Sequence, residues 1–364
     1  MNRTVLLRLY LKFTQKKHKK RFNFDRVRFR KLQQRKINLM KKVPTIDLSR
    51  FKAGQFTDND YVQLTDACQD MGFFLLKGHG LDELIAEVFS ESKQFFSEDK
   101  AYKLSVLRDE DNPLGYFDRE LTKRKRDQKE VFDFRVGGHR SRKPGRTARW
   151  PEGRAPFKDC LSRFFNSFTD LSEQVIEMVF VSMGMDNSDA KSLIARSFGP
   201  EHSSAARLNY YPAADPVPVQ ERDGVTPLGD MALHHHTDPG AITLLLQDDH
   251  GGLQAHSTEH GWMDVDPEPG TIVVNIGDVM QVWTNDQCKS GIHRVLPVAS
   301  GQGRYSTPFF YQPRFDAVIE PWNGSTEPAR YTSFSWQEFI RGRVSDNFAD
   351  YGQDDIQVDK YRVA

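Results

Sequence analysis

Apolar residues along the chain change their period near Gly199. Before it, helical spacing dominates. Tyr61, Leu64, Cys68 and Met71 predict a helix over 58–71 that stops at Gly72, and Leu84, Ile85, Val88, Phe89 and Phe96 predict a second over 82–97. A long amphipathic helix over Asp159–Met185 brings Leu161, Phe164, Phe165, Phe168, Leu171, Val175 and Val179 onto one face. A shorter one opens at Ser188 as its N-cap and ends at Gly199. Val43–Leu48 alternates as a half-buried strand does, and Phe73–Leu76 reads as a fully buried one. Residues 100–157 are charged and irregular, which predicts a mobile loop region with one strand near Val131–Val136.

After Gly199 come ten short apolar runs separated by Gly, Pro and Asp turns: RLNYYP, ALHHHTD, AITLLLQ, GGLQAH, GWMDVDP, GTIVVNIGD, MQVWTN, HRVLPV, RYSTPFFYQP and AVIEP. Read as strands, they predict a β-sandwich or barrel. A last helix around Trp336–Arg343 closes the chain. The expected fold is α+β, mainly β: a jelly-roll core over 199–345 with a helical N-terminal region, 43–198, packed on it in one unit, then a tail, 346–364.

Charge separates off the start of the chain. Residues 1–42 carry 16 Lys/Arg and one acid, leaving 35 basic against 49 acidic residues in 43–364, a balance of −14. Such a body does not suit nucleic acid, which needs a broad basic face. The basic arm has three open readings: a solvated disordered segment, a targeting segment, or a stretch ahead of a true start at Met40. Its charge also suits an anionic membrane surface. No apolar run reaches the roughly 20 residues of a spanning helix, so stable membrane insertion is not expected. Three scattered cysteines, Cys68, Cys160 and Cys288, form neither a disulfide framework nor a zinc motif. They suit a reducing compartment, the cytoplasm, with organelle targeting by the arm as the alternative.

The chemistry concentrates at His236-Thr237-Asp238. Residues two apart on a strand share a face, so an imidazole and a carboxylate there can meet one ion. His293, in SGIHRVLPV, is a third candidate from another strand. Two histidines and one carboxylate leave positions of an octahedron open, the arrangement of non-haem Fe(II) oxygenases. Zinc sites are usually four-coordinate. His234 shares the parity of His236 but lacks its spacing to Asp238 and reads either as a support behind the ligands or as purely structural; His235 is turned away. His202, His250, His256 and His260 read as loop or surface residues. Arg304 and Ser306 share a strand face eleven positions after His293, where a guanidinium and a hydroxyl can clasp a carboxylate. Asn209 and Tyr211 share a face in RLNYYP. The run Ile242–Leu246 offers an apolar wall. Cations around 100–140 (among them Arg119, Lys123, Arg126, Arg135, Arg140 and Arg142), with Phe117, Phe132 and Phe134, favour an acidic or amphipathic small molecule.

Taken together, RLNYYP, HTDPGAITLLLQD, GGLQAH, PGTIVVNIGDVMQVWTN, KSGIHRV and RYSTPFF resemble the isopenicillin N synthase-like group of Fe(II)/2-oxoglutarate-dependent dioxygenases. VPTIDLSRF and GFFLLKGHGL resemble its N-terminal region, so the likeness spans residue 43 to about 345. It implies a double-stranded β-helix with His236, Asp238 and His293 as iron ligands. It implies also that Arg304 and Ser306, assisted by Tyr211 and Asn209, hold the distal carboxylate of 2-oxoglutarate. The implied reaction is hydroxylation, desaturation or cyclisation of a small organic molecule with O₂, releasing succinate and CO₂, with ascorbate stimulatory. Two alternatives stay open: an iron oxidase of the same group that does not use 2-oxoglutarate, and a non-catalytic jelly-roll binding protein. Oligomeric state is not readable from the chain.

Overall fold

Alternating strands leave each sheet with one face for the core and one for a covering layer, and this chain uses both faces of its larger sheet. A computed structural model describes residues 42–109, 111–122, 124–136, 148–298, 303–322, 327–344 and 356–363. The basic arm, Lys123, Arg140, Arg142 and most of the tail lie outside them.

In chain order the elements that matter are β1 (Thr45–Asp47), α1 (Asp58–Asp70), β2 (Phe73–Lys77), α2 (Asp82–Ser97), β3 (Gly115–Phe117), β4 (Glu130–Phe134), α3 (Ala155–Ser182) and α4 (Asn187–Ser197). There follow β5 (Ala205–Tyr211), β6 (Leu233–His236), β7 (Ile242–Gln247), β8 (Leu253–Ser257), β9 (Gly261–Asp264), β10 (Ile272–Ile276), α5 (Asp278–Trp283), β11 (His293–Val295), β12 (Arg304–Tyr311) and α6 (Trp336–Val344). The major sheet runs β1-β2-β10-β7-β12-β5-β4-β3, and the minor sheet runs β9-β8-β11-β6. Phe73, Leu75, Val273 and Tyr211 from the first pack in one buried cluster with Leu253, Ala255 and Val295 from the second. The two inner faces therefore close on each other as a jelly roll.

The outer face of the major sheet carries Leu244, Phe309 and Tyr311 against α3. Phe164, Phe165 and Phe168 of α3 ring Phe309, with the Phe165 and Phe309 centroids 5.1 Å apart in edge contact. The predicted amphipathic stripe thus has its partner. Helix α1 opens on a capping box in which the Thr57 and Asp60 side chains each receive the other's backbone N–H.

Several sequence expectations shift. MQVWTN is not a strand: from Asp278 the chain turns into α5, whose Val279, Met280, Val282 and Trp283 are all buried. A short apolar run buried on every side cannot reveal its period. AVIEP contributes only the two-residue strand Val318–Ile319. The long helix starts earlier and ends sooner than predicted, at Ala155 and Ser182, and α4 takes Asp186 rather than Ser188 as its N-cap. Much of 100–136 is ordered, because β3 and β4 extend the major sheet and bury Phe117, Val131, Phe132 and Phe134.

Removing the ring at the centre of the α3 contact should be costly. Phe309→Ala is expected to lower unfolding free energy by about 3–5 kcal/mol, measured by urea denaturation; a loss under about 1 kcal/mol would contradict the packing described.

Candidate metal centre and carboxylate clasp

Asp238 lies just past β6, and its two carboxylate oxygens have different surroundings. Oδ2 accepts from Thr243 Oγ1 at 2.5 Å and from Asn275 Nδ2 at 2.8 Å. Thr243 and Asn275 are cross-strand partners on β7 and β10, so their side chains project from one face toward the same point. Oδ1 instead faces His236 Nε2 at 3.7 Å and His293 Nε2 at 3.9 Å. His236 and His293 are themselves paired across β6 and β11, with ring centroids 4.3 Å apart. Among the described residues these three offer ligand atoms within 4.8 Å of one another.

The ring tautomers follow from the partners. His236 Nδ1 lies 2.8 Å from the carbonyl of His234, and His293 Nδ1 lies 3.0 Å from the carbonyl of Gly291. A carbonyl can only accept, so each Nδ1 carries a proton and each Nε2 is the nitrogen turned toward Asp238. Burial, reinforced by neighbouring His293, pushes the His236 pKa down to about 3, which keeps its ring neutral at physiological pH. Burial raises the Asp238 pKa, but both imidazoles together with Thr243 and Asn275 outweigh it and hold it below the ordinary value. The result is a carboxylate and two imidazoles with Nε2 turned toward it, the donor set that oxygenase iron takes. Glycine is needed beside it: a Cβ on Gly291 would overlap Asn275 Oδ1 and the Phe73 ring.

On the inner face of the major sheet stands a second constellation. Arg304 pairs with Tyr211 and Ser306 with Asn209 across β12 and β5. Asn209 Nδ2 donates to Ser306 Oγ at 3.3 Å, and the Arg304 guanidinium sits 5.1 Å from the Tyr211 ring centre. Gln247, opposite Ser306 on β7, accepts from Arg304 Nη2 at 3.5 Å. Arg304 is 1% exposed, yet its Nε and Nη1 have no partner, nor does Asn209 Oδ1. Leaving guanidinium donors unpaired inside a protein is costly, and an anion such as a carboxylate would accept from them.

The third feature is a buried ion cluster at the β3–β4 edge. Glu120 lies between Arg108, Lys129 and Arg207, at 2.9, 2.8 and 2.5 Å. Asp133 pairs with both arginines, and Lys129 also reaches Asp127 at 3.1 Å. Desolvation alone would raise the Glu120 pKa, but Arg207, Lys129 and Arg108 hold it well below the usual carboxylate range. Asp127 lies 3.4 Å from His234, whose other nitrogen is 3.0 Å from Asp230. The His234 ring is thus held between two carboxylates, and exposed His235 packs toward Trp262 on the outside.

Some sequence readings did not survive. Arg119 pairs with Glu221, Lys125 with Asp230, and Arg126 grips Asp215 through both terminal nitrogens, so these cations are already engaged. His202 is buried against Phe165 and Tyr311 rather than at the surface. In Ile242–Leu246 only alternate positions face the barrel, and Leu245 packs on its apolar cluster. Thr243, Gln247 and Asn275 were missed. Their one signal is a polar residue placed inside an apolar strand.

Comparison with known proteins gives the family. Residues 202–313 match the 2OG-Fe(II) oxygenase superfamily, and residues 43–153 match the N-terminal region of the non-haem dioxygenases of morphine synthesis. The chain is 31% identical over 317 residues to gibberellin 20 oxidase 1 of Arabidopsis thaliana, covering 84% of this chain and 79% of that protein. It is 29% identical over 336 residues to homoarginine-6-hydroxylase 2-ODD-233 of Oryza sativa subsp. japonica, covering 85% and 98%. A full-length Neurospora crassa protein, solved in complex with alpha-KG and thymine, superposes with a TM-score of 0.68 at 26% identity, over 85% of this chain and 98% of that one. The chain belongs to the Fe(II)/2-oxoglutarate-dependent dioxygenases. It is an oxidoreductase that uses Fe(II), 2-oxoglutarate and O₂ to oxidise a small organic metabolite, releasing succinate and CO₂. Both alternatives, an oxidase independent of 2-oxoglutarate and a non-catalytic jelly roll, give way to that membership.

Glu120→Gln should cost about 3–5 kcal/mol of stability at neutral pH, because it leaves three buried cations undercompensated. A carboxyl whose folded pKa is depressed stabilises above its unfolded pKa and loses that contribution as pH falls through the folded one. The gap between wild type and variant should therefore narrow on acidification; equal unfolding midpoints at neutral pH would contradict the cluster's role.

Proposed function

We propose that His236, Asp238 and His293 hold the ferrous ion, and that Arg304 and Ser306, with Asn209 and Tyr211 beside them, bind the far carboxylate of 2-oxoglutarate. The observation that carries this reading is the buried Arg304 with two unpartnered nitrogens on the inner face of the major sheet, the face whose Thr243 and Asn275 also hold Asp238. Strand β7 links the two halves: Thr243 supports Asp238, and four residues on Gln247 touches Arg304. Four strand residues span about 13 Å, room for a five-carbon diacid between the side chains that would hold its ends.

The residues fit the group they would hold. Two imidazoles and one carboxylate would hold a ferrous ion and leave it able to take the keto acid and O₂. With these bound, decarboxylation of 2-oxoglutarate coupled to O₂ reduction supplies the oxidant for C–H bond cleavage. The chain's own part is positional. Thr243 and Asn275 fix which Asp238 oxygen points at the metal, and the carbonyls of His234 and Gly291 fix the ring tautomers. Phe73, edge-on to His293 at 5.5 Å, and Leu245 keep that wall dry.

We place the protein in the reducing cytoplasm, a reading supported by Cys68, Cys160 and Cys288, all buried and free of disulfides. Among the described residues no helix is long and apolar enough to cross a membrane.

Purified protein with Fe(II) and ascorbate should convert 2-oxoglutarate to succinate, at a rate that Asp238→Ala or His236→Ala reduces to background. Arg304→Lys should retain metal but raise KM for 2-oxoglutarate tenfold or more, as expected when losing a bidentate pair costs about 1.5–3 kcal/mol. Full turnover in Asp238→Ala, or an unchanged KM in Arg304→Lys, would overturn the assignment.

A further inference from the structure

The turn that carries His236 and Asp238 is gripped from behind by the C-terminal helix. Arg343 of α6 is 7% exposed, and its Nη2 donates to the Thr237 carbonyl at 2.6 Å and to Thr237 Oγ1 at 3.2 Å. Thr237 is the residue between the two proposed ligands. The same nitrogen lies 3.7 Å from Asp278 Oδ2, and Asp278 is 1% exposed. Asp278 reaches both arms of the site. Its backbone N–H donates to the Asp238 carbonyl at 2.9 Å, and its Oδ1 accepts from Ser290 Oγ at 2.6 Å. Ser290 leads into Gly291, whose carbonyl accepts from His293. Backbones meet closely here, since a Cβ on Gly277 would overlap the Gly240 carbonyl.

We propose that Arg343 and Asp278 are a positioning pair that makes α6 part of the metal centre. Resting on the ligand assignment above, this gives a role to two residues far apart in sequence that touch neither metal nor cosubstrate. Holding the Thr237 carbonyl fixes the peptide orientation between His236 and Asp238, and so the angle at which imidazole and carboxylate converge. Asp278 ties that turn to the segment that delivers His293. Ligand constellations tolerate only about 0.5 Å of misplacement, and outer contacts of this kind typically change metal affinity 10–100-fold when removed. A guanidinium buried for helix packing alone would have no reason to aim at the one residue between two ligands.

The test is anaerobic Fe(II) titration of the full-length protein with 2-oxoglutarate present, following the metal-to-ligand absorption band. Wild type is expected to bind one Fe(II). Arg343→Gln should weaken binding about tenfold or more and shift the band, while Arg343→Lys should recover part of both. Should Arg343→Gln not fold, Thr237→Val, which removes only the hydroxyl that the pair engages, is expected to weaken binding severalfold. Affinity within twofold of wild type and an unchanged band in the folded variants would overturn the inference. Failure of the wild type to bind iron would instead remove the ligand assignment beneath it.

Discussion

One carboxylate divided between two tasks organises the centre. Asp238 Oδ2 is saturated by Thr243 and Asn275, and this leaves Oδ1 facing two bare imidazole nitrogens. Without those two donors the carboxylate would be free to rotate, and nothing would distinguish its oxygens. The arrangement depends on register. Thr243 stands opposite Asn275 and His293 opposite His236, so a one-residue slip in either sheet would turn a member of the set away from the barrel.

Around that centre the major sheet sorts its faces by chemistry. Outside, α3 closes over Phe309 and Leu244. Inside, the same strands carry polar residues that would be expensive to bury without a purpose, Arg304 and Asn209 foremost. The Glu120 cluster shows that this protein compensates buried charge where the charge is structural, with three cations about one carboxylate and Asp133 closing the arginines. Among the described residues Arg304 has no carboxylate partner, and that contrast supports the proposal that it binds an anion.

Much of the site was legible because its signals are local. The RxS spacing puts two groups on one strand face, and the HxD spacing brings its two groups together although Asp238 falls just past the end of its strand. The shift from helical to strand-like period at Gly199 marked the jelly roll for the same reason. What escaped depends on pairing between distant strands or on helix docking. Asn275 becomes a partner of Asp238 only once β10 lies beside β7, and Arg343 meets Thr237 only when α6 folds back across more than a hundred residues. Charged residues in 100–136 misled because sequence shows the cations but not their partners: Arg126 reads as open until Asp215 arrives from the β5–β6 loop. The run MQVWTN misled because α5 is buried on all sides.

The central claim is that His236, Asp238 and His293 together bind one ferrous ion on a single face. X-ray absorption of the anaerobic enzyme loaded with Fe(II) and 2-oxoglutarate tests it most directly. The account predicts a six-coordinate first shell of nitrogen and oxygen, with the outer-shell scattering of two imidazole rings and a chelating keto acid. A spectrum with no imidazole scattering, or with the four-coordinate shell of an adventitious site, would contradict it.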